Sequence, residues 1–128
     1  MIRKLGIKEA FKISVINPPP DYWRLLGQLP DQASVSDLPS DPSLDFVHIF
    51  VKDAAELERW LKELRKNIVL NGMIWISWPK RSSKVKTDLN ENVVRDLGLK
   101  SGLVDTKVCA VDETWSGLKF VIRAKDRD

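Results

Sequence analysis

Residues 44 to 78 read LDFVHIFVKDAAELERWLKELRKNIVLNGMIWISW. The first eight positions are almost wholly apolar, the composition of a strand buried on both faces in a parallel sheet. From residue 53 the period changes. Leu57, Trp60, Leu61, Leu64 and Ile68 fall on one side of a 3.6-residue turn, which predicts an amphipathic helix over 53–67. Asp53 and Glu56 stand at capping-box spacing, and Arg65 and Lys66 suit the negative end of the helix dipole. Asn71-Gly72 then predicts a turn into MIWISW, a second buried strand.

Working outward, FKISVI at 11–16 predicts a buried strand, ended by Asn17 and the prolines 18, 19 and 20. Residues 22–29 predict a short helix with Asp21 as its N-cap. Residues 30–43 are rich in Pro, Ser and Asp and predict a loop, with a short strand at 33–37. Asp88 and Glu91 repeat the capping-box spacing before a helix carrying Leu89, Val93, Val94 and Leu97, which Gly102 ends. Residues 103–111 and 117–124 predict two strands, and the short link DETWS between them predicts an antiparallel hairpin. Strands separated by helices imply an α/β domain over 1–128, its mostly parallel sheet covered by helices on both faces.

The bulk numbers narrow the function classes. With 128 residues the chain suits one domain. A net charge of +3 is far from the field of a dedicated nucleic-acid binder. Cys109 is the single cysteine and His48 the single histidine, so neither a disulfide framework nor a His-based metal site is expected. No apolar run has the length of a signal peptide or a membrane span, and a cytoplasmic protein is the expectation.

The order and local sequences resemble a trimmed class I, Rossmann-like methyltransferase. LGIKEAFKISVIN resembles the approach to that fold's first strand, LDFVHIFV its fourth, IVLNGMIWISWPK its fifth, and GLVDTKVCAVDETWSGLKFVIRAK its closing hairpin. The third strand and its helix have no counterpart. The chain also resembles a family of short uncharacterised bacterial proteins that share the WPK and VDETWSG stretches, a likeness that brings no activity with it. The first resemblance implies S-adenosylmethionine as cofactor, held by a glycine-rich loop after the first strand. Here that position reads Asn17-Pro18-Pro19-Pro20. Proline has no N–H and fixes φ, so this loop departs from the family's cradle of backbone donors. Asp37 stands where the family's ribose-binding acid would be.

Ligands of open α/β sheets bind beyond the carboxyl ends of the strands. The family topology makes the loop WPKRSS a neighbour of the turn DETWS. Asn17, Trp78, Lys80, Arg81, Ser82, Asp112, Glu113 and Trp115 are therefore the candidate ligand-binding residues. The cations would hold a phosphate or carboxylate and the tryptophans would wall an aromatic group. The plainer alternative is that the charges pair with one another at the surface. No catalytic residue and no cofactor is assigned. His48 lies mid-strand and suits a hydrogen-bonded core position, Cys109, Trp60 and Trp75 read as core, and Ser82 and Ser83 lack a base. The expected partner is an anionic or aromatic small molecule, or a protein. Nucleic acid is disfavoured, because Lys80, Arg81, Lys84 and Lys86 make a small footprint and residues 31–45 are acidic. The leading reading is a non-catalytic methyltransferase-like ligand-binding or interaction module. The alternatives are an active methyltransferase with an unusual cofactor loop, and a nucleic-acid-associated protein.

Overall fold

A computed structural model describes residues 1–36 and 43–126. The elements in chain order are α1 (Ile2–Leu5), β1 (Lys12–Ile16), α2 (Tyr22–Leu26), β2 (Ser34–Ser36), β3 (Leu44–Phe50), α3 (Ala54–Asn67), β4 (Ile68–Pro79), α4 (Glu91–Lys100), β5 (Leu103–Ala110) and β6 (Trp115–Ile122). The strands form one sheet in the order β2-β1-β3-β4-β6-β5. The β2–β1, β1–β3 and β3–β4 pairs are parallel, and β6 runs antiparallel to both β4 and β5. This is the α/β, Rossmann-like architecture with a closing hairpin that the sequence implies.

Strand alternation sorts the core onto two faces. On one, Leu57, Leu61 and Leu64 of α3 and Val94 of α4 join a cluster with Val47, Ile49, Ile74, Ile76, Trp78 and Phe120. On the other, Leu5, Tyr22 and Leu26 join Ile13, Phe46, Phe50, Met73 and Trp75. Helices of 14 and 10 residues cover the first face, whereas those on the second have 4 and 5. Helices that short are unstable alone, and polar anchors hold them here. The Trp75 indole N–H donates to the Leu5 carbonyl at 2.8 Å. The Tyr22 hydroxyl lies 2.9 Å from His48 Nδ1, and His48 Nε2 lies 2.8 Å from Ser77 Oγ. His48 thus has the buried, hydrogen-bonded core position expected of it.

Local details depart from the sequence reading. The four residues of α1 carry too little periodicity to be seen, and Gly6, at φ 85, ends the helix in the left-handed region. Helix α2 stops at Leu26 rather than residue 29, because Gly27 at φ 88 leaves the helical path. Asp21 makes no side-chain cap bond and pairs instead with Arg24 at 3.1 Å. The strand expected at 33–37 is β2, of which Asp37 lies outside the described residues.

Asn71-Gly72 is not a turn between helix and strand. It belongs to an irregularity within β4, where residues 69–72 stand opposite Asp45 alone, between the pairs Leu44–Ile68 and Phe46–Met73. A Cβ on Gly72 would lie 3.0 Å from the Val69 carbonyl oxygen and 3.2 Å from that of Leu44, so glycine permits this close backbone approach. The N-cap of α4 is Asn90, whose side chain accepts from the Val93 N–H at 2.9 Å. Asp88 instead accepts from the Ala54 N–H at 2.9 Å and ties this loop to the start of α3.

Gly98 of α4 lies against the buried Phe120 ring, and a Cβ there would overlap the ring edge. Gly98→Ala should therefore destabilise the protein by about 1–3 kcal/mol, despite alanine's better helix propensity. Denaturant titration checks this, and unchanged or increased stability contradicts the packing. A second expectation concerns pH. Burial lowers the pKa of His48 to about 3, while in the unfolded chain it titrates near 6.5. The unfolded state therefore binds the extra proton, and His48's contribution is complete above pH ~6.5 and falls toward pH ~3 by about 1.4 kcal/mol per pH unit. Between pH ~6.5 and ~5, wild type should lose about 2 kcal/mol more than His48→Gln. Parallel pH profiles for the two proteins would contradict it.

Candidate functional site

The carboxyl edge of the parallel strands carries a concavity of about 560 Å³ where the chain leaves β1 toward β2 on one side and β3 lies on the other. Its walls come from three elements. The turn after β1 gives Asn17 and the prolines 18, 19 and 20, the end of β3 gives Phe50, Lys52 and Asp53, and the hairpin gives Trp115. Glu56 of α3 closes the rim.

Asn17 turns the chain in the left-handed region, at φ 56, which asparagine tolerates better than most side chains. Its Nδ2 donates to Glu56 Oε1 at 3.1 Å and toward the Phe50 carbonyl at 3.4 Å. Among the described residues no bond from the Asp53 N–H back to the Glu56 side chain completes the capping box. Asp53 does cap α3, accepting from the Glu56 N–H at 2.8 Å. The aromatic wall is built in depth. Trp115 meets Phe50 edge-on at 5.0 Å, Phe50 stacks on His48 at 4.3 Å, and Tyr22 meets Phe50 edge-on at 5.4 Å. Burial raises the Tyr22 hydroxyl pKa and lowers that of His48, so both stay neutral here.

The expected composite of tryptophans and cations is divided. The loop after β4 and the hairpin turn are adjacent, and the Lys80 N–H donates to the Thr114 carbonyl at 2.7 Å. In the β4–β6 register, however, Trp78 stands opposite Ser116 and Pro79 opposite Trp115. Trp78 and Trp115 therefore project from opposite faces. Trp78 is buried among the α3 and α4 core, and Trp115 belongs with the Phe50 cluster. Asp112 is taken up by its own turn, accepting from the Thr114 N–H at 2.8 Å and the Trp115 N–H at 2.7 Å. Glu113 is exposed. Among the described residues neither Lys80 nor Arg81 forms an ion pair with Asp112 or Glu113. Ser82 lies exposed in the 3-10 turn Arg81–Ser83, and Lys84 and Lys86 are exposed as well.

Of the candidates, Asn17 and Trp115 share the switch-point concavity, while Trp78 and Arg81 line another on the far side of β4. Asp37 lies outside the described residues. Cys109 is partly buried on β5, and burial raises its thiol pKa despite Lys4 and Lys107 nearby. Phe50 and Glu56 were not singled out as lining residues in the sequence. The alternation Phe46, His48, Phe50 places Phe50 on the Tyr22 face, but only the tertiary fold brings Glu56 to Asn17. Among the described residues no group of His, Cys, Asp and Glu could hold a metal ion. No helix is long and apolar enough to cross a membrane.

No family model matches the sequence, and no curated protein matches it significantly. Solved structures do match. A SAM-dependent methyltransferase from Aquifex aeolicus superposes with a TM-score of 0.66 at 16% identity, over 95% of this chain and 87% of that one. Precorrin-6y C5,15-methyltransferase from Geobacter metallireducens gives 0.63 at 9% identity, over 95% and 84%. Magnesium protoporphyrin IX methyltransferase from Synechocystis PCC 6803, with bound SAH, gives 0.60 at 9% identity, over 95% and 78%. At such identities the likeness is one of fold: the chain has a class I methyltransferase-like fold.

Proposed function

We propose that this chain is a ligand-binding or interaction module on a methyltransferase-like scaffold, without S-adenosylmethionine-dependent catalysis. The observation that carries the reading is the turn Asn17-Pro18-Pro19-Pro20 at the switch point. A cofactor of that kind is held there by close backbone approach and free N–H donors. Three successive residues here have no N–H to offer. The next helix brings little relief, since the Tyr22 N–H already donates to the Pro19 carbonyl at 3.0 Å. The prolines, Phe50 and Trp115 make apolar walls, and Asn17, Lys52 and Glu56 supply a few polar groups. Such a lining suits a flat aromatic ligand with a small number of hydrogen-bonding groups.

A second reading is an active methyltransferase with an unusual cofactor loop, favoured by the retention of a concavity of about 560 Å³ at the switch point. Calorimetric titration with S-adenosylmethionine and S-adenosylhomocysteine separates the two. The module reading expects no saturable heat from either compound. One-to-one binding at micromolar ligand restores the methyltransferase reading.

A further inference from the structure

The loop between β4 and α4 encloses a second concavity, of about 710 Å³, which includes Trp78, Arg81, Lys84, Lys86, Asp88 and Glu91 in its lining. Its polar groups fall into two classes. The acids are engaged: Asp88 accepts from the Ala54 N–H at 2.9 Å, and Glu91 pairs with Arg95 at 2.8 Å. Arg81, Lys84 and Lys86 form no ion pair among the described residues. The concavity therefore presents exposed cations without an ion-pair partner among the described residues, beside carboxylates that already have partners. Asn90 and Glu91 also line it, so the positive end of the α4 dipole opens there.

The loop that carries the cations is built rather than loose. Lys80 is bonded to the hairpin through its N–H, and Ser83 Oγ donates to the Lys80 carbonyl at 2.6 Å. Thr87 Oγ1 donates to the Lys52 carbonyl and accepts from the Leu89 N–H at 3.0 Å. Leu89 is buried in the core beneath. Lys84 sits at φ 62, a left-handed position where a glycine would be less strained, and lines the concavity from the middle of the loop.

We propose that this concavity binds a small, multiply charged oxyanion, a phosphomonoester or diphosphate group. One guanidinium fork and two ammonium groups around a space of small-molecule size suit clustered phosphate oxygens better than a single carboxylate. A nucleic-acid backbone would need cations spread along a track, and these surround one hollow. The site is distinct from the pocket lined by Trp115 and shares none of its lining residues.

Inorganic pyrophosphate is the probe. Titration at low ionic strength should give saturable one-to-one binding that weakens as salt is added. Arg81→Ala/Lys84→Ala should weaken it about tenfold or more, and Lys86→Ala by about threefold. All three side chains are exposed, so melting temperatures should stay near wild type. Lys119→Ala, on β6 outside this concavity, should bind as wild type does. Absence of saturable heat at millimolar pyrophosphate overturns the proposal, as does undiminished binding by the double variant. A short single-stranded oligonucleotide that binds more tightly through the same residues overturns it in favour of a nucleic-acid backbone.

Discussion

His48 is hydrogen-bonded at both ring nitrogens where water does not reach, and the second face of the sheet depends on that arrangement. A neutral imidazole has one donor and one acceptor nitrogen, and Tyr22 and Ser77 between them match both. The pairing draws Tyr22, the first residue of α2, down onto β3. Five residues of helix bury too little apolar surface to dock firmly unaided, so this polar anchor supplements Tyr22 and Leu26 packing. The Trp75 indole serves α1 in the same way. Holding α2 also fixes the turn before it, and that turn is the proline wall of the switch-point pocket. Core packing and site shape thus share one hydrogen-bonded chain.

The second constraint is strand parity. Because β6 begins at Trp115 and pairs it with Pro79, one tryptophan faces each side of the sheet. The carboxyl edge is consequently split into two chemical environments. One has aromatic and proline walls with Lys52, Asp53 and Glu56 among its lining, and the other has three cations that form no ion pair among the described residues. The bridge from Asp88 to Ala54 and from Thr87 to Lys52 lies between them and keeps the loop seated on α3. Ser14, Ser34 and Ser36 face the α3 side of β1 and β2. Ser34 is exposed, whereas Ser14 is fully buried and its hydroxyl has no hydrogen-bond partner among the described residues, a local cost to the sheet.

What could be read in the sequence was whatever rested on local periodicity. The continuous apolar run at 44–51, the stripe on 53–67 and the spacing of the closing hairpin carried the element types, and the resemblance to the methyltransferase fold carried the meeting of the WPK loop with the DETWS turn. What escaped depended on partners distant in sequence. Asp88 has the right spacing to cap α4, but the competing Ala54 N–H takes it and Asn90 caps instead. Asn71-Gly72 looks the same locally whether it makes a turn or a bulge, and the pairing with β3 decides it. The expectation that β6 starts at Gly117 left Trp115 in a turn, free to face Trp78. The strand in fact begins two residues earlier, at Trp115, which set that residue's side and divided the site.

On the proposed reading, the switch-point pocket receives a flat ligand against Trp115 rather than an adenosyl cofactor over the proline turn. A crystal structure of the protein grown with a mixture of metabolites that includes S-adenosylmethionine tests this most directly. The expected result is planar ligand density bounded by Trp115, Phe50 and the prolines, with no methionyl chain along residues 17–20. Density for S-adenosylmethionine laid across that turn would contradict it.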